Sequence, residues 1–172
     1  MRICPSDADV FTIGRLLEAG AVYLCRHGID ADEAQNLAEI LLSEAMQFTG
    51  PRLRLEVNRQ VDLETVETLR AQFRRLANGE PIQYILGQWP FHEIVLRTDA
   101  RALIPRPETE VLVERILQSE VWARAKQIAD IGTGTGAIIL ALANAARGTD
   151  RRFTAVDISP EALSLARENA RA

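Results

Sequence analysis

The sequence predicts an α/β protein preceded by an all-α N-terminal part, with a short β-hairpin linker between them. Three observations carry that reading. Residues 12–78 repeat apolar side chains at helical spacing between polar caps and glycine stops. Helical periodicity disappears over residues 79–101, where Pro81, Gly87 and Pro90 punctuate the chain. Past residue 102, two short apolar runs with β character flank a glycine-rich turn and a small-residue helix, which is how a doubly wound parallel sheet begins. The expected domains are residues 1–78, a helical bundle; 79–101, the linker; and 102–172, the first part of the α/β domain.

Residues 1–10 read as loosely held. Thr12 caps a helix to about His27, with Ile13, Leu16, Leu17 and Leu24 along one side and Gly28 as its stop. His27 reads as a helix-terminal histidine favoured by the dipole. Asp30 caps a second helix, to about Phe48, with a stripe of Ala34, Leu37, Ala38, Leu41, Leu42 and Ala45. Gly50-Pro51 is expected to end it, and a short helical turn holds Leu53 and Leu55. Asp62 opens a further helix with Leu63, Val66, Leu69, Phe73 and Leu76 inward, closed by Asn78-Gly79. The arginines of this part (Arg52, Arg54, Arg59, Arg70, Arg74, Arg75) are either a solvated face or a docking surface for a macromolecule. In the linker, Gln88–Phe91 and Glu93–Arg97 pair as a hairpin, with Pro90 at an edge or bulge. Pro105 and Pro107 fix an extended segment and start a helix carried on by Val111, Leu112, Val113, Ile116 and Leu117.

The chemistry concentrates in Ile128-Ala129-Asp130-Ile131-Gly132-Thr133-Gly134-Thr135-Gly136. A short apolar run that reads as a buried strand breaks into alternate glycines, and a helix of Ala137–Ala143 follows at once. Glycine accepts positive φ and has no Cβ, so the backbone turns sharply and a ligand can approach closely. The helix start adds unpaired N–H groups. A dinucleotide fingerprint has G-x-G-x-x-G spacing. Here the third glycine comes a residue earlier, and Asp130 precedes the first, which suits a cationic amino-acid moiety and a ribose better than a pyrophosphate. Phe153–Val156 reads as the second strand and Asp157 as the acid at its carboxyl end, placed to accept ribose hydroxyls. Asp157 could also serve only as a helix-start residue, but Ser159 already fits the cap and Pro160 the first helical position. This leaves Asp157 free for a ligand.

Composition sets bounds. The chain has 172 residues, 47% hydrophobic and 26% charged, with net charge −4. That is ordinary globular composition, without the basic field that nucleic-acid binding needs. No apolar run reaches the roughly 20 residues of a membrane span, and no secretory signal is evident. Cys4 and Cys25 lack metal-ligand spacing, and a reduced cytoplasmic chain is the simplest reading.

Taken together, Ile104-Pro105-Arg106-Pro107-Glu108-Thr109-Glu110, the glycine loop with Asp130, Val156-Asp157-Ile158-Ser159-Pro160-Glu161-Ala162, and Gly79-Glu80-Pro81-Ile82-Gln83-Tyr84 with Gly87 resemble the HemK/PrmC family. The resemblance implies a class I methyltransferase fold and a protein-(glutamine-N5) methyltransferase. The cofactor would be S-adenosyl-L-methionine, and the substrate the glutamine of the Gly-Gly-Gln motif in peptide chain release factors. It implies that Gly132, Thr133, Gly134, Thr135 and Gly136 lie along the methionine and ribose. Asp157 would hold the ribose hydroxyls and Ile158 would stand beside the adenine, with Leu103–Pro105 over the pocket. It makes the helical part the docking surface for the release factor. The family's Asn-Pro-Pro-Tyr signature would fall after Ala172, so the sequence reads as the front portion of a longer protein, and no catalytic or metal-ligating residue is assigned. The expectation is that this chain alone does not turn over. Alternatives are a methyltransferase of the same fold with another substrate, a non-catalytic partner-binding fragment and, weakest, a nicotinamide dehydrogenase.

Overall fold

The computed structural model describes residues 11–172; the expectations for residues 1–10 and for Cys4 fall outside them. The chain divides into two compact units, Met1–Ile85 and Leu86–Ala172.

The first unit is helical because its sequence supplies a cap, an apolar stripe and a stop for each segment. In α1 (Ile13–Arg26), the Thr12 hydroxyl accepts from the Arg15 N–H, and Gly28 follows in a left-handed conformation. In α2 (Ala31–Met46), the Asp30 carboxylate accepts from the Asp32 N–H at 2.9 Å. Gly50-Pro51 does not end this helix. Gln47 ends it with φ 52°, and Gly50-Pro51 opens α3 (Gly50–Leu55) behind Thr49. Proline is suited to a first helical turn because the N–H it lacks would have no partner there. Asp62 caps α4 (Leu63–Ala77), accepting from the Thr65 N–H and hydroxyl, both at 2.8 Å.

Ile13, Leu24, Ala34, Ala38, Leu41, Leu42, Leu53 and Val66 are wholly buried and form the core of this unit. Fully burying one of the leucine, isoleucine or valine side chains among them is worth about 1.5–3 kcal/mol. Leu63 was expected inward but is 68% exposed; it stands at the first position of α4, beyond the packed layer, and Val61 is the buried residue there. Leu55 is likewise exposed. The strip 57–61 runs beside the start of α1, with Ile13 N–H donating to Arg59 O and Val61 N–H to Phe11 O.

A helix that sequence periodicity did not reveal, α5 (Ile82–Leu86), leads to the boundary, with Ile82 and Ile85 buried. The hairpin then forms as expected from β1 (Gln88–Phe91) and β2 (Ile94–Arg97), with Phe91 opposite Ile94 and Pro90 opposite Val95. Phe91 and Leu96 bury their side chains against Val113, Ala137, Ala141 and Leu142. Val113 comes from α6 (Pro107–Leu117), in which it is the buried residue; Val111 and Leu112 face outward. A second unforeseen short helix, α7 (Glu120–Arg124), is capped by Ser119. The parallel pair β3 (Gln127–Ile131) and β4 (Arg152–Val156) brackets α8 (Ala137–Ala145), in register from Gln127↔Arg152 to Ile131↔Val156. The last helix is α9 (Pro160–Asn169), with Ser159 as cap and Pro160 at its start.

Candidate functional site

The parallel register of β3 and β4 puts their carboxyl ends side by side, which is where open α/β sheets bind ligands. The glycine loop leaves β3 here. Gly132 and Thr133 donate their N–H groups to the Val156 carbonyl at 2.8 and 2.9 Å, so the loop is pinned to the end of β4. Gly132, Gly134 and Gly136 have φ of 80°, 55° and 84°, values that side chains with a Cβ rarely adopt.

These glycines serve two purposes. A Cβ on Gly132 or Gly134 would meet no atom within 4 Å. Their backbone faces open space. A Cβ on Gly136 would come within 3.0 Å of Leu140 Cδ1 and 3.4 Å of the Ala166 Cβ, so this glycine serves the packing of α8 on α9. The threonines between them point inward: Thr133 and Thr135 are buried, and the Thr133 hydroxyl donates to Asp130 Oδ2 at 2.8 Å.

Asp157 is brought to this loop. Its Oδ2 accepts from the Gly134 N–H at 2.8 Å and its Oδ1 from the Ser159 N–H at 2.9 Å. Ser159 caps α9, as expected, while Asp157 ties the glycine loop to the β4–α9 turn. The Ser159 N–H, and after it that of Gly134, hold the Asp157 carboxyl below the usual carboxylate range. Each carboxylate oxygen keeps further acceptor capacity. Ile158, next in the chain, is wholly exposed. Leu103 is exposed and Pro105 half-buried in the segment leading into α6.

Other residues at this end of the unit gave no sequence signal. Arg101 grips Asp99 and, through Nη1 at 2.6 Å and Nη2 at 2.9 Å, Glu168 on α9. Hydrogen bonds from Arg101 lower the pKa of both Asp99 and Glu168. Asp99, Ala100 and Arg101 line a shallow depression with Ser159 and Glu161. Asn169 links β2 to the glycine loop through its side-chain amide. Among the described residues no group of His, Cys, Asp or Glu is arranged to hold a metal ion. No described helix is long and apolar enough to cross a membrane.

A glycine-rich loop between two parallel strands, with a carboxylate at the end of the second, is the arrangement of a Rossmann-like α/β domain that binds a nucleoside-containing ligand. Comparison with known proteins narrows this. Residues 128–172 match the methyltransferase domain and residues 15–87 the PrmC N-terminal domain. The chain is 44% identical over 143 residues, 81% of its length and 49% of the relative's, to the release factor glutamine methyltransferase of Streptococcus pneumoniae. It is 35% identical over 169 residues, 95% of its length and 56% of the relative's, to that of Chlorobaculum tepidum, and 52% identical over 97 residues to that of Lactococcus lactis, covering 56% of this chain and 35% of that one. The chain belongs to the HemK/PrmC family. It spans about half the length of the curated relatives it matches.

Proposed function

We propose that this chain provides the cofactor-binding and docking parts of a cytoplasmic S-adenosyl-L-methionine-dependent methyltransferase. Its target would be the glutamine side-chain amide in the Gly-Gly-Gln motif of peptide chain release factors. The observation that supports this most is Asp157, kept ionised by the Gly134 and Ser159 N–H groups beside a stretch of loop open to a ligand. An ionised carboxylate with spare lone pairs suits a pair of ribose hydroxyls. The open backbone at Gly132 and Gly134 suits a ligand lying flat along the loop.

When bound, the cofactor supplies a methyl group on a good leaving group, so the protein's contribution is positioning and electrostatics. In this chain, that positioning falls to the Gly132–Gly136 loop with Thr133 and Thr135, to Asp157, to Ile158 as the apolar neighbour of the adenine, and to Leu103 and Pro105 over the pocket. No residue of this chain is assigned to the chemical step.

The helical unit is the proposed docking surface for the release factor. Of its arginines, Arg54, Arg70 and Arg75 pair with Glu39, Glu67 and Glu80, while Arg52 and Arg59 stack on the Phe48 ring at 4.1 and 5.0 Å from its centroid. Stacking holds two guanidinium groups in place beside one ring, an arrangement suited to acidic or polar partner groups.

Calorimetric titration of the chain with S-adenosylhomocysteine and, separately, with NAD tests the cofactor reading. The expected result is binding of S-adenosylhomocysteine with Kd around micromolar, worth about 8 kcal/mol, and none of NAD. The reverse preference would sink the proposal.

A further inference from the structure

Asn169 closes α9, and its side-chain amide makes three hydrogen bonds at once. Oδ1 accepts from the Arg97 N–H at 2.7 Å. Nδ2 donates to the Arg97 carbonyl at 3.2 Å and to the Thr135 carbonyl at 2.9 Å. Toward Arg97 the amide behaves like the backbone of a neighbouring strand, exchanging one donor and one acceptor. Its remaining N–H reaches into the glycine loop. Thr135 is 2% exposed, so few other donors can reach it. Both N–H groups are committed to carbonyls, which only an amide of this reach can satisfy while also accepting.

We propose that Asn169 is a positioning residue for the cofactor loop. It fixes the peptide between Thr135 and Gly136 and thereby holds Gly134 against Asp157, without touching the ligand itself. This rests on the cofactor reading given above. Asn169 and Asp157 grip adjacent residues of the loop: Asp157 takes the Gly134 N–H, and Asn169 gives an N–H to the carbonyl of the buried Thr135.

The discriminating variant is Asn169→Asp. An ionised aspartate still accepts from the Arg97 N–H, but its other oxygen faces the Arg97 and Thr135 carbonyls. Protonated, it donates again. The charged groups around this position are Arg97 on β2, Asp99 and Arg101 in the loop after it, and Glu168 beside it on α9. Hydrogen bonds from Arg101 lower the pKa of Asp99 and Glu168, so of these groups the introduced carboxyl is the one expected to titrate between the two pH values.

S-adenosylhomocysteine affinity of the full chain is measured by calorimetry at about pH 7.5 and about pH 5, with circular dichroism melts alongside. The wild type is expected to bind equally at both. Asn169→Asp is expected to bind about tenfold more weakly at the higher pH, where both donor bonds are lost, and to recover part of that loss at the lower, where the protonated carboxyl regains one of them. Wild-type affinity at pH 7.5, or equal weakness at both pH values, would overturn the proposal. Amide hydrogen exchange of the unliganded wild type supplies a readout independent of ligand and variant. The Asn169 side-chain N–H groups are expected to exchange more slowly than those of the exposed Asn78, and equal rates would overturn the proposal. Failure of the wild type to bind S-adenosylhomocysteine, with Asn169 protected, would count against the cofactor reading and leave the loop anchor standing.

Discussion

The two units use glycine in opposite ways. In the helical unit, Gly20 on α1 leaves a space that the Phe73 ring of α4 fills: a Cβ there would sit 2.2 Å from Phe73 Cζ. In the α/β unit, Gly132 and Gly134 leave a space that no part of the chain fills. The same absence of a side chain makes a tight helix crossing in one place and an open backbone edge in the other. Burial follows the same division. Ile13, Leu24 and Leu41 are shut away entirely, whereas Ile131, Val156 and Ile158 at the strand ends are 76%, 42% and 100% exposed.

The sharpest test of that contrast is Leu41→Ala in the helical core. It is expected to cost about 2–5 kcal/mol, the loss of a wholly buried leucine plus its cavity. Urea unfolding followed by circular dichroism reads it. Ile131→Ala at the exposed strand end should shift the same curve by less than about 0.5 kcal/mol.

Next comes the glycine pair itself. Gly20→Ala should destabilise by about 1–3 kcal/mol, because the Phe73 ring must move. Gly134→Ala meets no neighbour and carries only the roughly 1 kcal/mol cost of a left-handed alanine. Its larger effect is expected on S-adenosylhomocysteine affinity, which Gly20→Ala should leave alone. Equal effects of both variants on both measurements would erase the distinction between a packing glycine and a site glycine.

The smallest effect concerns acid. Asp62 at the start of α4 and Asp157 at the glycine loop both have a lowered carboxyl pKa through local N–H donors, Thr65 for the first and Ser159 with Gly134 for the second. A carboxyl whose folded pKa lies below its unfolded value adds stability above the unfolded value, near 4, and loses it as pH falls through the folded one. Melting temperature recorded from about pH 6 to about pH 2 should therefore fall less steeply in Asp157→Asn and in Asp62→Asn than in the wild type. An unchanged slope in either would mean that its hydrogen bonds do not persist in solution.

How much of this could be read beforehand depended on distance along the chain. Caps at Thr12, Asp30, Asp62 and Ser159 are local, a side chain meeting an N–H two or three residues on, and the sequence shows them. The glycine loop and the hairpin are local too. The short helices α5 and α7 were not legible because five residues hold too little periodicity to stand out. Gly50-Pro51 misled because the same pair can close one helix or open the next, and the left-handed Gln47 decided it. Beyond the motif spacing that sets Asp157 at the end of the second strand, the long-range contacts of the site were hidden. Nothing in one sequence says that Asn169 reaches Thr135, or that Arg101 closes on Glu168.

The bond from Gly134 to Asp157 also has a kinetic reading. The loop is tied to Val156, Asp157 and Asn169 by the protein's own hydrogen bonds, so its ordering belongs to folding. Arrival of a ligand should then be a single event whose observed rate climbs linearly with concentration, without a slow second phase from loop closure. Changes at the loop's anchors would show in how long the ligand stays rather than in how fast it arrives.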